Sequence, residues 1–163
     1  MRLSWWTVGP EASVSHTARG SWSSVGTSTS FTGIWALRVL LLSQSNMQVV
    51  HSKALSSLTF LEKLDLAYNE LRVLPPDFSQ GLTALKDLKL SHNALQRLES
   101  HSLEDLESLE RLDLSHNQVQ VIEVGAFRGL AMLKHLNLAW NQLNLGYGRT
   151  QAKAKDEPGK IRE

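Results

Sequence analysis

Leu61, Leu85, Leu109 and Leu133 each open the same phrase, and they stand 24 residues apart three times in succession. The phrases read Leu61-Glu-Lys-Leu64-Asp-Leu66-Ala-Tyr-Asn69-Glu-Leu71, Leu85-Lys-Asp-Leu88-Lys-Leu90-Ser-His-Asn93-Ala-Leu95, Leu109-Glu-Arg-Leu112-Asp-Leu114-Ser-His-Asn117-Gln-Val119 and Leu133-Lys-His-Leu136-Asn-Leu138-Ala-Trp-Asn141-Gln-Leu143. A degraded copy begins 24 residues earlier with Leu37, Leu40 and Leu42, then has Ser45 in the Asn position and Met47. A fixed period of this length predicts a solenoid before any other fold. The Leu-x-Leu alternation at 64/66, 88/90, 112/114 and 136/138 turns one face of a short strand inward. One unit cannot bury its leucines alone, so neighbouring coils share the core. Five strands then form a parallel sheet with a spacing of about 4.8 Å.

Asn69, Asn93, Asn117 and Asn141 follow the strands. A chain turning inward leaves backbone N–H and C=O groups to be satisfied, and an Asn amide supplies both donor and acceptor. The four asparagines are therefore expected to stack as a structural ladder.

The phrase L-x-x-L-x-L-x-x-N-x-L resembles the leucine-rich-repeat signature. The 24-residue unit, with Phe127-Arg-Gly-Leu130 closing the fourth copy, is similar to the "typical" subclass found in Toll-like receptors and small leucine-rich proteoglycans. Leu58, Leu82, Leu106 and Leu130, with Leu74, Leu103 and Phe127, match the family's convex-side apolar residues. The resemblance implies an α/β-type repeat solenoid. It would be a short horseshoe arc with a parallel concave sheet and a mostly irregular convex side. It also implies a non-catalytic protein-interaction module, part of a cell-surface or secreted recognition protein, with a protein ligand or co-receptor. Phe78 stands one residue early relative to Phe127, which predicts a distorted convex turn in the second unit. The family's cysteine-rich caps have no counterpart, because the chain contains no cysteine. That leaves a second reading open, a truncated repeat fragment without independent function.

In this family, ligands often meet the exposed strand positions. Stacked in register, these give three columns. Arg38, Glu62, Lys86, Glu110 and Lys134 form one, Lys63, Asp87, Arg111 and His135 the next, and Asp65, Lys89 and Asp113 the third. The charged residues alternate in sign down each column. The checkerboard serves either to pin register or to dock a partner of mixed charge. Beside it, at the strands' C-terminal edge, run Gln44, Tyr68, His92, His116 and Trp140. Tyr and Trp are enriched at binding hot spots, so Tyr68, His92, His116 and Trp140 are the candidate contact edge. His92 and His116 lack a third ligand and make a poor metal site; no metal or other cofactor is expected.

The ends differ from the middle. Residues 1–36 are rich in Ser, Thr and Gly and read as a poorly ordered leader, residues 37–145 as repeats, and 146–163 as a polar, disordered tail. Seventeen basic against 16 acidic residues give no electrostatic reason to expect nucleic acid. No stretch reaches the roughly 18 apolar residues of a membrane span, and no signal-peptide core stands at the start. The absence of cysteine fits either the cytosol or part of a secreted protein, which leaves the compartment open. None of the common hydrolase, zinc-protease, phosphate-loop or dinucleotide motifs occurs, so an enzyme is not expected.

Overall fold

The computed structural model describes residues 37–143. The expected leader (1–36) and tail (146–163) lie outside them, as does the end of the expected repeat region at 144–145.

The chain winds as a solenoid whose coils follow the 24-residue unit. Strands β1 (Val39–Leu41), β2 (Lys63–Asp65), β3 (Asp87–Lys89), β5 (Arg111–Asp113) and β7 (His135–Asn137) form one parallel sheet in the order β1-β2-β3-β5-β7. The register puts Leu40, Leu64, Leu88, Leu112 and Leu136 side by side, each 24 residues from the last. A shift of one residue would turn every inner leucine to solvent, so burial itself fixes this register. On another side of the coil, β4 (Arg97–Leu98) and β6 (Val121–Ile122) make a small parallel pair. The described residues contain no helix, and the convex side consists of short turns.

Leucines from consecutive coils stack into one core. Leu58, Leu61, Leu64, Leu82, Leu85, Leu88, Leu106 and Leu109 are fully excluded from solvent. The last coil differs, because Leu136 is 41% exposed whereas Leu40 in the first coil is 6% exposed.

The asparagine ladder forms as expected. Asn117 Nδ2 donates to the carbonyls of Leu90 (2.9 Å), Leu114 (3.0 Å) and Ser115 (3.2 Å), while its Oδ1 accepts the N–H of Leu95 (3.1 Å). Asn93 repeats this with Leu66, Leu90, Ser91 and the N–H of Leu71. Asn141 does so with Leu114, Leu138, Ala139 and the N–H of Val119. The ladder begins at Asn69, whose Oδ1 accepts the N–H groups of both Ser45 (3.0 Å) and Met47 (2.9 Å). Where the first unit has Ser45 instead of Asn, the amide of the next coil still satisfies its backbone.

Phe78 does not distort its turn. The N–H of Phe78 reaches Pro75 O at 3.0 Å, as Ala54 reaches His51 (3.1 Å) and Ala126 reaches Glu123 (3.0 Å). Phe78 simply occupies a neighbouring column, whose other members are Ala54, Ser102 and Ala126. The small residues on either side leave room for it, and it is buried. Ser79 takes the column of Leu55, Leu103 and Phe127, where its Oγ accepts the N–H of Asp105 at 3.2 Å. In the Phe78 column the buried Ser102 Oγ has no partner among the described residues.

Candidate functional site: the concave face and its aromatic edge

Each coil leaves its strand through a residue with left-handed backbone. Gln44, Tyr68, His92, His116 and Trp140 have φ between 52° and 57°. For residues with a Cβ this conformation costs on the order of 1 kcal/mol each. Hydrogen bonds between coils hold it, the N–H groups of Tyr68, His92 and His116 reaching Ser91, Ser115 and Ala139 at 2.9–3.0 Å. The repeated geometry projects five side chains along one line.

Four of them stack. Tyr68 lies on His92 with ring centroids 4.2 Å apart and planes 8° from parallel. His92 lies on His116 at 4.2 Å and 9°, and His116 on Trp140 at 5.6 Å and 12°. Such pairs contribute about 0.5–1.5 kcal/mol each beyond burial, enough to offset much of the backbone strain. Tyr68 is 53% and Trp140 76% exposed. Ring edges along the stack and the outer face of Trp140 are therefore available to a partner. The structure thus brings Tyr68, His92, His116 and Trp140 together as one surface. Sequence register predicts the column, whereas ring-on-ring stacking depends on the left-handed turn, which no residue type in that column announces.

The charge columns behave unequally. In the first, Glu62 lies between Arg38 and Lys86, pairing with both (3.0 Å to Lys86), and Glu110 pairs with Lys134 at 3.2 Å. Hydrogen bonding from Lys86, then from Arg38, holds the Glu62 carboxyl below its ordinary value. In the second, Arg111 Nε approaches Asp87 at 3.8 Å, while Lys63 and His135 form no ion pair among the described residues. The third column forms no ion pair among the described residues. Asp65 Oδ1 accepts the N–H of Ala67 (3.0 Å), and Asp113 Oδ1 accepts both the N–H (3.0 Å) and the O–H (2.7 Å) of Ser115. Asn137 does the same with Ala139 at 3.1 Å. These side chains close the turn two residues on, a local role that Asp and Asn commonly fill. The expectation of a cross-strand charge pattern missed it, although the spacing to Ala67 and Ser115 carries the signal. Lys89 stands between the two aspartates without an ion pair among the described residues.

Among the described residues, no group of three or more His, Cys, Asp and Glu could hold a metal ion, and no helix is long and apolar enough to cross a membrane. On the convex side His101 Nδ1 lies 2.6 Å from Glu104, and this hydrogen bond holds the Glu104 carboxyl below its ordinary value.

No curated protein sequence matches the chain significantly. Among solved structures it is similar to one described as "Crystal structure of TLR13-ssRNA13 complex", at 28% identity and a TM-score of 0.49. That similarity covers 68% of this chain but only 19% of the other. The family model for the leucine-rich repeat matches residues 35–95, 59–119 and 85–143, which together take in all five units and about two-thirds of the chain. The chain belongs to the leucine-rich-repeat family.

Proposed function

We propose that the chain is a non-catalytic protein-binding module that docks its ligand against the concave sheet, with the Tyr68–His92–His116–Trp140 edge as the principal contact. One observation carries this reading: four rings stacked in series, held by strained backbone, with much of their surface left in water. Rigid aromatic groups bury large area at low entropic cost, which is why they dominate interface energetics. The partly paired charge columns beside them favour a ligand of mixed charge over a strongly acidic or basic one. The parent molecule belongs at a cell surface or in the secreted space, by the style of its repeats. Its ligand is a protein or co-receptor rather than nucleic acid or lipid.

A photo-crosslinking residue at Tyr68 tests the site against the same residue at Gln80 on the convex side. Discrete protein adducts at position 68, reduced by Trp140→Ala and absent at position 80, are expected. Equal labelling at both positions would exclude the concave edge. Antibody staining of intact against permeabilised cells tests the compartment.

The alternative, a repeat fragment without its own function, draws support from the exposed Leu136 in the last described coil. A cooperative, reversible melt of the purified chain speaks against it, and irreversible aggregation speaks for it.

A further inference from the structure

We propose that the open face of the last coil binds a second copy of this chain, β7 pairing antiparallel with its counterpart about a two-fold axis. This goes beyond ligand docking on the concave edge, with which it shares Trp140 but not Met132 or Leu136.

The face is apolar and uncovered. Leu136, Met132 and Trp140 are 41%, 60% and 76% exposed, and Leu130, Leu133, Leu138 and Leu143 are only partly buried. One coil earlier, the matching Leu106, Leu109, Leu112, Leu114 and Val119 are buried to within 2%. β7 is also an edge strand of the sheet among the described residues, and an unpaired strand edge is a template for a further strand.

The chain's own continuation does not carry the pattern for another coil. At 24-residue steps from Ile122, Phe127, Leu133, Leu136 and Leu138 stand Gly146, Gln151, Glu157, Lys160 and Arg162. A coil in register would bury three charges where its predecessors bury leucine, which is prohibitive without partners.

Two features favour a second copy arranged about a two-fold axis. First, among the described residues the apolar side chains are exposed at one end of the sheet and buried at the other. Leu37, Leu40 and Leu42 at the other end are 6%, 6% and 4% exposed. Head-to-tail stacking needs two complementary open ends, whereas a two-fold contact uses the same end twice and closes. Second, β7 is self-complementary. Centred on Leu136, antiparallel pairing sets His135 against the partner's Asn137 and Lys134 against the partner's Leu138, so no like charges face each other. The two sheets would then join edge to edge with their concave faces on the same side, while Tyr68 and His92 remain free.

The test uses the full chain. Sedimentation equilibrium across about a hundredfold dilution should show a monomer–dimer equilibrium. Trp140→Lys and Met132→Lys, both at exposed positions, should each weaken it by about tenfold or more while leaving the far-ultraviolet spectrum unchanged. Because the chain contains no cysteine, Leu136→Cys gives an unambiguous trap. Oxidation should yield a disulfide-linked dimer, whereas Phe60→Cys, on an exposed residue of another coil, should not. A monomer at every concentration, an open-ended oligomer series, or a dimer that the two Lys variants leave intact would each overturn the proposal.

Discussion

Replacing Asn117 with alanine isolates what the ladder contributes. The Asn117 side chain makes four hydrogen bonds, yet their loss does not strand four groups. Leu90 O also accepts from Asn93 at 3.0 Å, and Leu114 O from Asn141 at 2.9 Å. The group left without its amide partner is the N–H of Leu95, on a residue that is 1% exposed. An orphaned buried donor costs about 1–3 kcal/mol. The expected destabilisation is therefore about 2 kcal/mol, not the sum of four bonds. For a domain of this size that lowers Tm by about 8–16 °C. Thermal and denaturant melts followed by circular dichroism would measure it, with the denaturant slope checking that the unfolded state is unchanged. Asn117→Asp separates hydrogen bonding from lost volume. An ionised carboxylate can still accept from Leu95 but faces three carbonyl oxygens with nothing to donate. It should be worse than alanine at neutral pH. Its folded-state pKa should be raised, so its deficit should shrink as pH falls and the carboxyl gains a proton. An Asn117→Ala variant that melts within about 2 °C of the parent, or an Asp variant no worse than Ala, would refute the ladder as a source of stability.

Other consequences are equally direct. A Cβ on Gly129 (φ +89°) would run into the carbonyl oxygen of Glu104, whereas one on Gly125 (φ +87°) meets nothing within 4 Å. Gly125→Ala should cost about 1 kcal/mol for its left-handed backbone, and Gly129→Ala clearly more; equal losses in chemical denaturation would contradict the close packing of these coils. Glu62 titrates below its ordinary value of 4.5 because Lys86 and Arg38 bond to it. Its contribution to stability is present above pH 4.5 and lost as pH falls through the lowered folded-state value. In Lys86→Gln the Glu62 titration followed by NMR should move upward, and an unmoved midpoint would show that the pair does not persist in solution.

The repeat was legible because its signal is redundant. Leu40, Leu64, Leu88, Leu112 and Leu136 each state the same inward position, and the pairing of all five strands follows their 24-residue spacing. Asn69 to Asn141 were legible for a chemical reason, since few side chains offer donor and acceptor together. Phe78 was misread because a single repeat cannot reveal that its neighbours in the stack, Ala54 and Ser102, are small. The third charge column was misread because Asp65 and Asp113 serve equally well as charges and as turn acceptors. Only the folded turn decides between those roles. The aromatic edge was placed by counting residues, but its parallel stacking arises from backbone torsions that propensity does not encode.

The asparagine ladder has a direction. Each Oδ1 accepts a backbone N–H from the coil before it: Asn69 from Met47, Asn93 from Leu71, Asn117 from Leu95 and Asn141 from Val119. A coil that peels from the C-terminal side therefore strips an acceptor from the coil it leaves behind. Peeling from the other side removes that donor from the Asn oxygen and also takes from Nδ2 its acceptor in the coil before, as Leu90 O is taken from Asn117. Nδ2 then keeps acceptors in its own coil, Leu114 O and Ser115 O for Asn117, whereas the stripped Leu95 N–H loses its Asn117 acceptor. Because an unpaired buried N–H is poorly tolerated, the ladder is mechanically polar. Loss of the Asn141 coil unlocks the next in line, and amide-exchange protection should rise stepwise from that end toward the middle.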